Sequence, residues 1–262
     1  MLDLTLYSLP AIFAVSLVAL FAASEIGHRF GLRVSGQANI STLEAAMLGL
    51  LALMISFTFA MALMRFDARR DALLGEANAI GTAALRARLL PAPQNAESLK
   101  LLRDYVQIRL DITGHTPTPA EMNAAIERSN EIQGALWLLA KAVMAKDNAM
   151  VPTGLYIQAL NETFDDQQKR LTALRNRVPN IVLLALYGVA IVAIGFAGYA
   201  GGVDQRRWRL PVYIMSVLVA AVILLIQDID RPSAGFISVN QQPMIDTANS
   251  LAGYLAEEGA PQ

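Results

Sequence analysis

The apolar positions of the chain fall into four nearly uncharged runs, grouped two and two, with a long amphipathic stretch between the pairs. A bilayer core of about 30 Å needs roughly 20 apolar residues of helix. The runs near residues 6–26, 43–64, 181–203 and 210–227 meet that need, the last being the shortest. They predict an all-α membrane protein. Its parts are a first transmembrane hairpin (1–64), a helical extramembrane insert (65–180), a second hairpin (181–227) and a C-terminal tail (228–262). Four such runs in one short chain are hard to bury without lipid, so the bilayer is the expected partner. No basic n-region precedes the first run, where the first cation is Arg29, so it is read as a retained span.

Inside the insert the rhythm changes to three-four spacing, which places one apolar stripe on one helix face. Phe66, Leu73, Ala77, Ile80 and Ala84 keep it, with Arg70 in the missing slot. Leu160, Phe164, Leu171, Leu174 and Val178 keep it too, with Gln167 in the gap. These two segments read as stalks packing against each other. Two helices lie between them. One holds ESLKLLRDYVQIRLDI and ends at the turn signal TGHTPTP; the other starts at TPAE. There Thr118 is the N-cap, Pro119 the first helical residue and Glu121 the third, a capping box. Ser41 to Glu44 forms a second one, and Glu25 has Arg29 one turn away as an ion-pair partner.

Composition agrees with lipid: 55% of the 262 residues are hydrophobic and 16% charged, where soluble domains carry about a quarter. A net charge of -1 gives no basic excess for nucleic acid. The absence of cysteine excludes disulfides, thiolate metal sites and a cysteine nucleophile. Orientation is balanced. Arg65, Arg69, Arg70, Lys169, Arg170, Arg175, Arg177 and Arg231 flank the insert and tail side, against Arg29, Arg33, Arg206, Arg207 and Arg209 on the short-loop side. That count puts the insert and termini in the cytoplasm, whereas discounting the long insert reverses it.

No phosphate-binding loop, nucleophile elbow or metalloprotease motif is present, and His28 and His115 lie in separate loops, so neither an enzyme nor a metal or cofactor site is expected. The span middles lack Asp, Glu, Lys, Arg and His, which argues against a charge relay. A passive pore needs none, because apolar constrictions gate by dewetting. Ile55, Phe59 and Leu63 recur every four residues on the second span and would form rings in a symmetric oligomer. The alternative is that they face lipid. Arg65, Asp67, Arg69, Arg70 and Asp71 follow as the helix leaves the membrane, and Asp228, Asp230 and Arg231 end the fourth span. Opposite charges predict a belt: Asp228 and Asp230 with Arg65, Arg69 or Arg70, and Arg231 with Asp67 or Asp71. Phe236, Ile237 and Val239 are apolar enough to tuck back onto the protein. Glu76, Ala77, Asn78, Gly81 and Thr82 make the emerging helix thin, as close packing requires, with Glu76 and Asn78 free to reach polar partners at a subunit junction. Gly198 and Gly202 form a GxxxG pair that predicts tight packing of the third span without naming its partner.

Two stretches, FDARRDALLGEANAIGTAALRARLLP and DIDRPSAGFISVNQQP, resemble the bacterial bestrophin-like domain family, over roughly residues 43–244. The resemblance implies a multi-pass protein of the bacterial inner membrane, distantly akin to bestrophins. Those are pentameric anion channels with four spans, cytoplasmic termini and a neck of apolar rings on the second span. It implies a homo-oligomer, small anions as the permeant species, and Ile55, Phe59 and Leu63 as the neck. The insert and tail are much shorter than those of eukaryotic bestrophins, and no acidic calcium clasp is found. A non-conducting sensor or scaffold, whose insert binds a partner, is the competing reading.

Overall fold

Lipid-length apolar runs and three-four stripes give helices throughout the computed structural model, which describes residues 7–34, 40–113, 117–146, 151–204, 209–232 and 235–258. In chain order they are α1 (Leu9–Gly31), α2 (Ser41–Ala87), α3 (Gln94–Asp111), α4 (Pro119–Lys146), α5 (Val151–Arg175), α6 (Asn180–Val203), α7 (Leu210–Asp230) and α8 (Gln242–Glu258). His115, Arg206 and Arg207 fall outside the described residues, and His28, expected in a loop, lies buried in the last turn of α1. Among the described residues, four helices are long and apolar enough to cross a membrane. α2 is a single helix of 47 residues, about 70 Å at 1.5 Å per residue. The charged knot after Met64 therefore does not interrupt it. Pro91 stops it, as expected, and the non-helical residues before Pro179 separate α5 from α6. The tail helix α8 was not expected from the sequence.

The chain divides into two units. The first holds the residues up to Phe66, Arg177–Arg231 and Gly235–Ile237. Its core gathers Leu20, Leu186, Ala190, Ile194, Ile223 and Ile226 from α1, α6 and α7. α1 and α6 meet backbone to backbone. A Cβ on Gly27 would collide with the Gly195 carbonyl, one on Gly198 with the Ser24 carbonyl, and one on Gly202 with the His28 carbonyl. The GxxxG pair of α6 therefore has a partner within the chain, a second GxxxG made by Gly27 and Gly31. A polar chain crosses the same bundle: Gln227 Nε2 donates to the Tyr187 hydroxyl at 2.8 Å, which lies 3.2 Å from Ser16 Oγ.

The second unit holds Asp67–Asn176, Pro232–Ala234 and Ser238–Gln262. Leu73, Ile80, Leu102, Leu136, Tyr156 and Leu160 form its core, and α8 adds Met244 and Leu251. The Thr118 capping box is present in both directions: Glu121 N donates to Thr118 Oγ1 at 3.2 Å and Thr118 N to Glu121 Oε2 at 2.7 Å. The two stalks are joined side chain to side chain, with Arg170 Nη1 donating to Glu76 Oε2 at 2.7 Å.

Candidate functional site

The second span is the least covered by its own chain. Only 17% of its most apolar window is buried, against 28% for α1 and 33% for α7. Leu53, Phe57, Ala60 and Met64, then Leu74, Asn78, Leu85 and Leu89, are all exposed. The three-four spacing of those up to Leu85 puts them on one face of α2, and Leu89 lies in the turn just after it. Ile55 and Phe59 lie on another face and are half-buried against the core of the first unit, while Leu63 is exposed. The three expected neck positions thus differ in environment within one chain.

At the insert-side ends of the membrane helices, Asp228, Asp230 and Arg231 are all buried. Each holds backbone. Asp230 Oδ1 accepts from Val178 N at 2.9 Å, ahead of α6. Arg231 Nη2 donates to the Tyr7 carbonyl at 2.7 Å, ahead of α1. Asp228 Oδ1 accepts from Phe236 N at 2.7 Å and Oδ2 from Ile237 N at 3.0 Å. Gly235 has no room for a Cβ over this carboxylate, which is why a glycine stands at that point of the tail. Holding the backbone turns the side chains outward: Phe236 is 82% exposed and Ile237 is exposed, so the expected tucking fails for both. Val239 does pack, onto the core of the second unit. The charge belt expected from the sequence joins residues of both units. Of its other members, Arg65 is half-buried, Arg69 is buried, and Asp67, Arg70 and Asp71 are exposed.

Glu25 also differs from expectation. Its carboxylate accepts from Arg209 Nη1 at 2.8 Å and from the Tyr213 hydroxyl, which ties α1 to the start of α7 instead of to Arg29. The partner is tertiary, so sequence spacing does not disclose it.

The densest chemistry lies around Glu76. The sequence suggested a subunit junction for it; the structure places it at 0% exposure within the chain. Tyr105 donates to Oε1 at 2.7 Å, Arg170 to Oε2 at 2.7 Å, and Arg109 Nε is 3.0 Å from Oε1. Arg170 Nη2 also donates to Gln241 Oε1, 3.2 Å away in the tail. Burial pushes the Glu76 carboxyl up, but the charges of Arg109 and Arg170 and the bonds from Arg170 and Tyr105 outweigh it, leaving the pKa below 4.5. Burial, then the Glu76 charge, raises the Tyr105 phenol well above its ordinary value. Burial likewise lowers Arg170. Asn78, expected beside Glu76 in this role, is exposed.

Tyr105, Arg109, Arg170 and Gln241 were missed by sequence reasoning. Arg109 had a signal: Leu99, Leu102, Val106 and Arg109 share one three-four stripe, and a cation inside an apolar stripe needs a partner. Ala77 is buried in the same core, whereas a Cβ at Gly81 meets nothing within 4 Å. Overpacking within the chain is therefore confined to Ala77. Ala77→Leu is expected to lower stability by about 1–3 kcal/mol in detergent unfolding. Gly81→Leu is expected to leave the fold of the chain intact, so that any loss of oligomer in size-exclusion chromatography reports a neighbouring subunit.

An all-helical architecture with four membrane helices defines an integral membrane protein. The Bestrophin-like domain model matches residues 11–244, and the chain belongs to that family. Its fold is shared with solved structures at low identity. A bacterial bestrophin homologue from Klebsiella pneumoniae aligns with a TM-score of 0.67 at 14% identity, covering 95% of this chain and 98% of that one. A single-substitution variant of that homologue aligns at 0.67 and 15% identity, covering 96% and 99%. A structure described as a membrane protein aligns at 0.67 and 14%, covering 95% and 98%. Comparison with curated proteins finds no match.

Proposed function

We propose that the chain is one subunit of a homo-oligomeric anion channel, a pentamer if it assembles as bestrophins do, with α2 lining the pore and the insert and termini cytoplasmic. The observation that supports this reading best is the uncovered length of α2. A polytopic chain buries its spans against one another or leaves them to lipid and neighbouring copies, and α2 is the span its own chain covers least. Outside the membrane the same face still carries exposed Leu74 and Leu85, where no lipid is at hand. Apolar residues continuing along one face into water favour a second protein surface. Ile55, Phe59 and Leu63 form the neck, with Phe59 half-buried at its centre, and small anions pass by partial dehydration at these rings.

Anion flux from liposomes tests this. Wild-type protein is expected to release a loaded halide, and Phe59→Ala to change the rate severalfold. Phe57→Ala, on the exposed face, is the comparison. A flux that responds to Phe57 alone would move the neck to that face. No flux across the candidate gating signals, at a density where a known channel leaks, would favour the sensor or scaffold reading.

A further inference from the structure

Two guanidiniums meet one carboxylate in the Glu76 cluster. Among the described residues Glu76 is the one carboxylate within ion-pair distance of Arg109 or Arg170. Both of its oxygens are engaged, Oε1 by Tyr105 and Arg109 and Oε2 by Arg170. Arg109 is 0% exposed, yet no protein acceptor reaches its Nη1 or Nη2, and Nε has ion-pair distance without hydrogen-bond alignment. A guanidinium cannot shed its proton to escape burial. Buried charge therefore calls for a counter-charge, and a water would satisfy the N–H groups without supplying one.

We propose that the second unit binds a small monovalent anion of the chloride class on the Nη1–Nη2 edge of Arg109, beside the Glu76–Arg170 pair. The planar fork of Arg109 directs its donors to one side, a geometry suited to an anion. Arg109 is 0% exposed, which is why the proposed occupant is a compact ion and not a phosphorylated metabolite. Gln241, half-buried and bonded to Arg170, is the most exposed member of the cluster. The site lies outside the membrane spans, so it is independent of whether the protein conducts.

The test uses the purified full-length protein in detergent, with sodium chloride compared with sodium gluconate at equal ionic strength. Chloride is expected to raise the thermal unfolding midpoint by about 2–4 °C and to give excess chlorine nuclear magnetic resonance linewidth that saturates. Arg109→Gln is expected to abolish both effects, and Glu76→Gln, which removes the competing negative charge, to tighten binding about tenfold or more. Equal midpoints in the two salts with no excess linewidth would overturn the proposal. So would a chloride response that Arg109→Gln leaves unchanged. Should Arg109→Gln not fold, Glu76→Gln decides: tighter binding supports the site, and unchanged or weaker binding refutes it.

Discussion

Glu76→Ala is expected to destabilise the protein by on the order of 3–5 kcal/mol, the cost of breaking a buried pair and stranding its partner. Two partners are stranded here, Arg109 and Arg170, both buried. Tyr105 loses its acceptor as well, since its hydroxyl donates to Oε1 at 2.7 Å. Tyr105→Phe removes only that donor and is expected to cost less, about 1.5–3 kcal/mol for a bond to a charged group. Replacing Glu76 and Arg109 together by leucine and methionine is expected to cost less than the two single changes summed. Unfolding followed by circular dichroism in detergent measures each. Additive effects would mean that the cluster is not coupled. The same carboxylate predicts acid sensitivity. Its folded pKa lies below the ordinary value of 4.5, so the folded state takes up the proton less readily than the unfolded chain. Its contribution is full above pH 4.5 and is lost as pH falls through the folded value. Glu76→Gln is expected to flatten that part of the stability profile.

The second large effect is expected at the α1–α6 contact. Gly27→Leu and Gly198→Leu each place a side chain where the facing helix has backbone carbonyls, not mobile side-chain tips. Backbone of a packed helix cannot move aside without separating the pair, so the cost is expected at or above the ~3 kcal/mol upper end of overpacking. Even alanine adds the clashing Cβ. Gly49→Leu and Gly188→Leu are the controls, since a Cβ at either meets nothing within 4 Å. The expected result is loss of monodisperse protein for the first pair and normal behaviour for the second. Similar behaviour in all four would show that the helices are not held at backbone distance. Small residues matter here for a membrane reason: apolar side chains gain little by leaving lipid for protein, so close approach and backbone contact carry the association.

The sequence alone determined the number of spans and the helical nature of the segment between them, because lipid length and three-four spacing are local properties of the chain. The Thr118–Glu121 box was legible for the same reason: its two partners are three residues apart. Family membership was legible from two long motifs. The tail helix was within reach, since Met244, Ala248, Leu251 and Leu255 keep a helical stripe. What only the tertiary structure decided were the partners of residues far apart in sequence. Glu76 meets Arg170 94 positions later, and Glu25 meets Arg209 184 positions later. Spacing carries no information on such pairs. Nor does it reveal that Gly27 and Gly31 receive Gly195 and Gly202, or that Asp228 is held by the backbone of its own tail. Charge and size are written in the sequence, but which charge faces which, and where size becomes critical, is fixed only when helices distant in the chain are packed side by side.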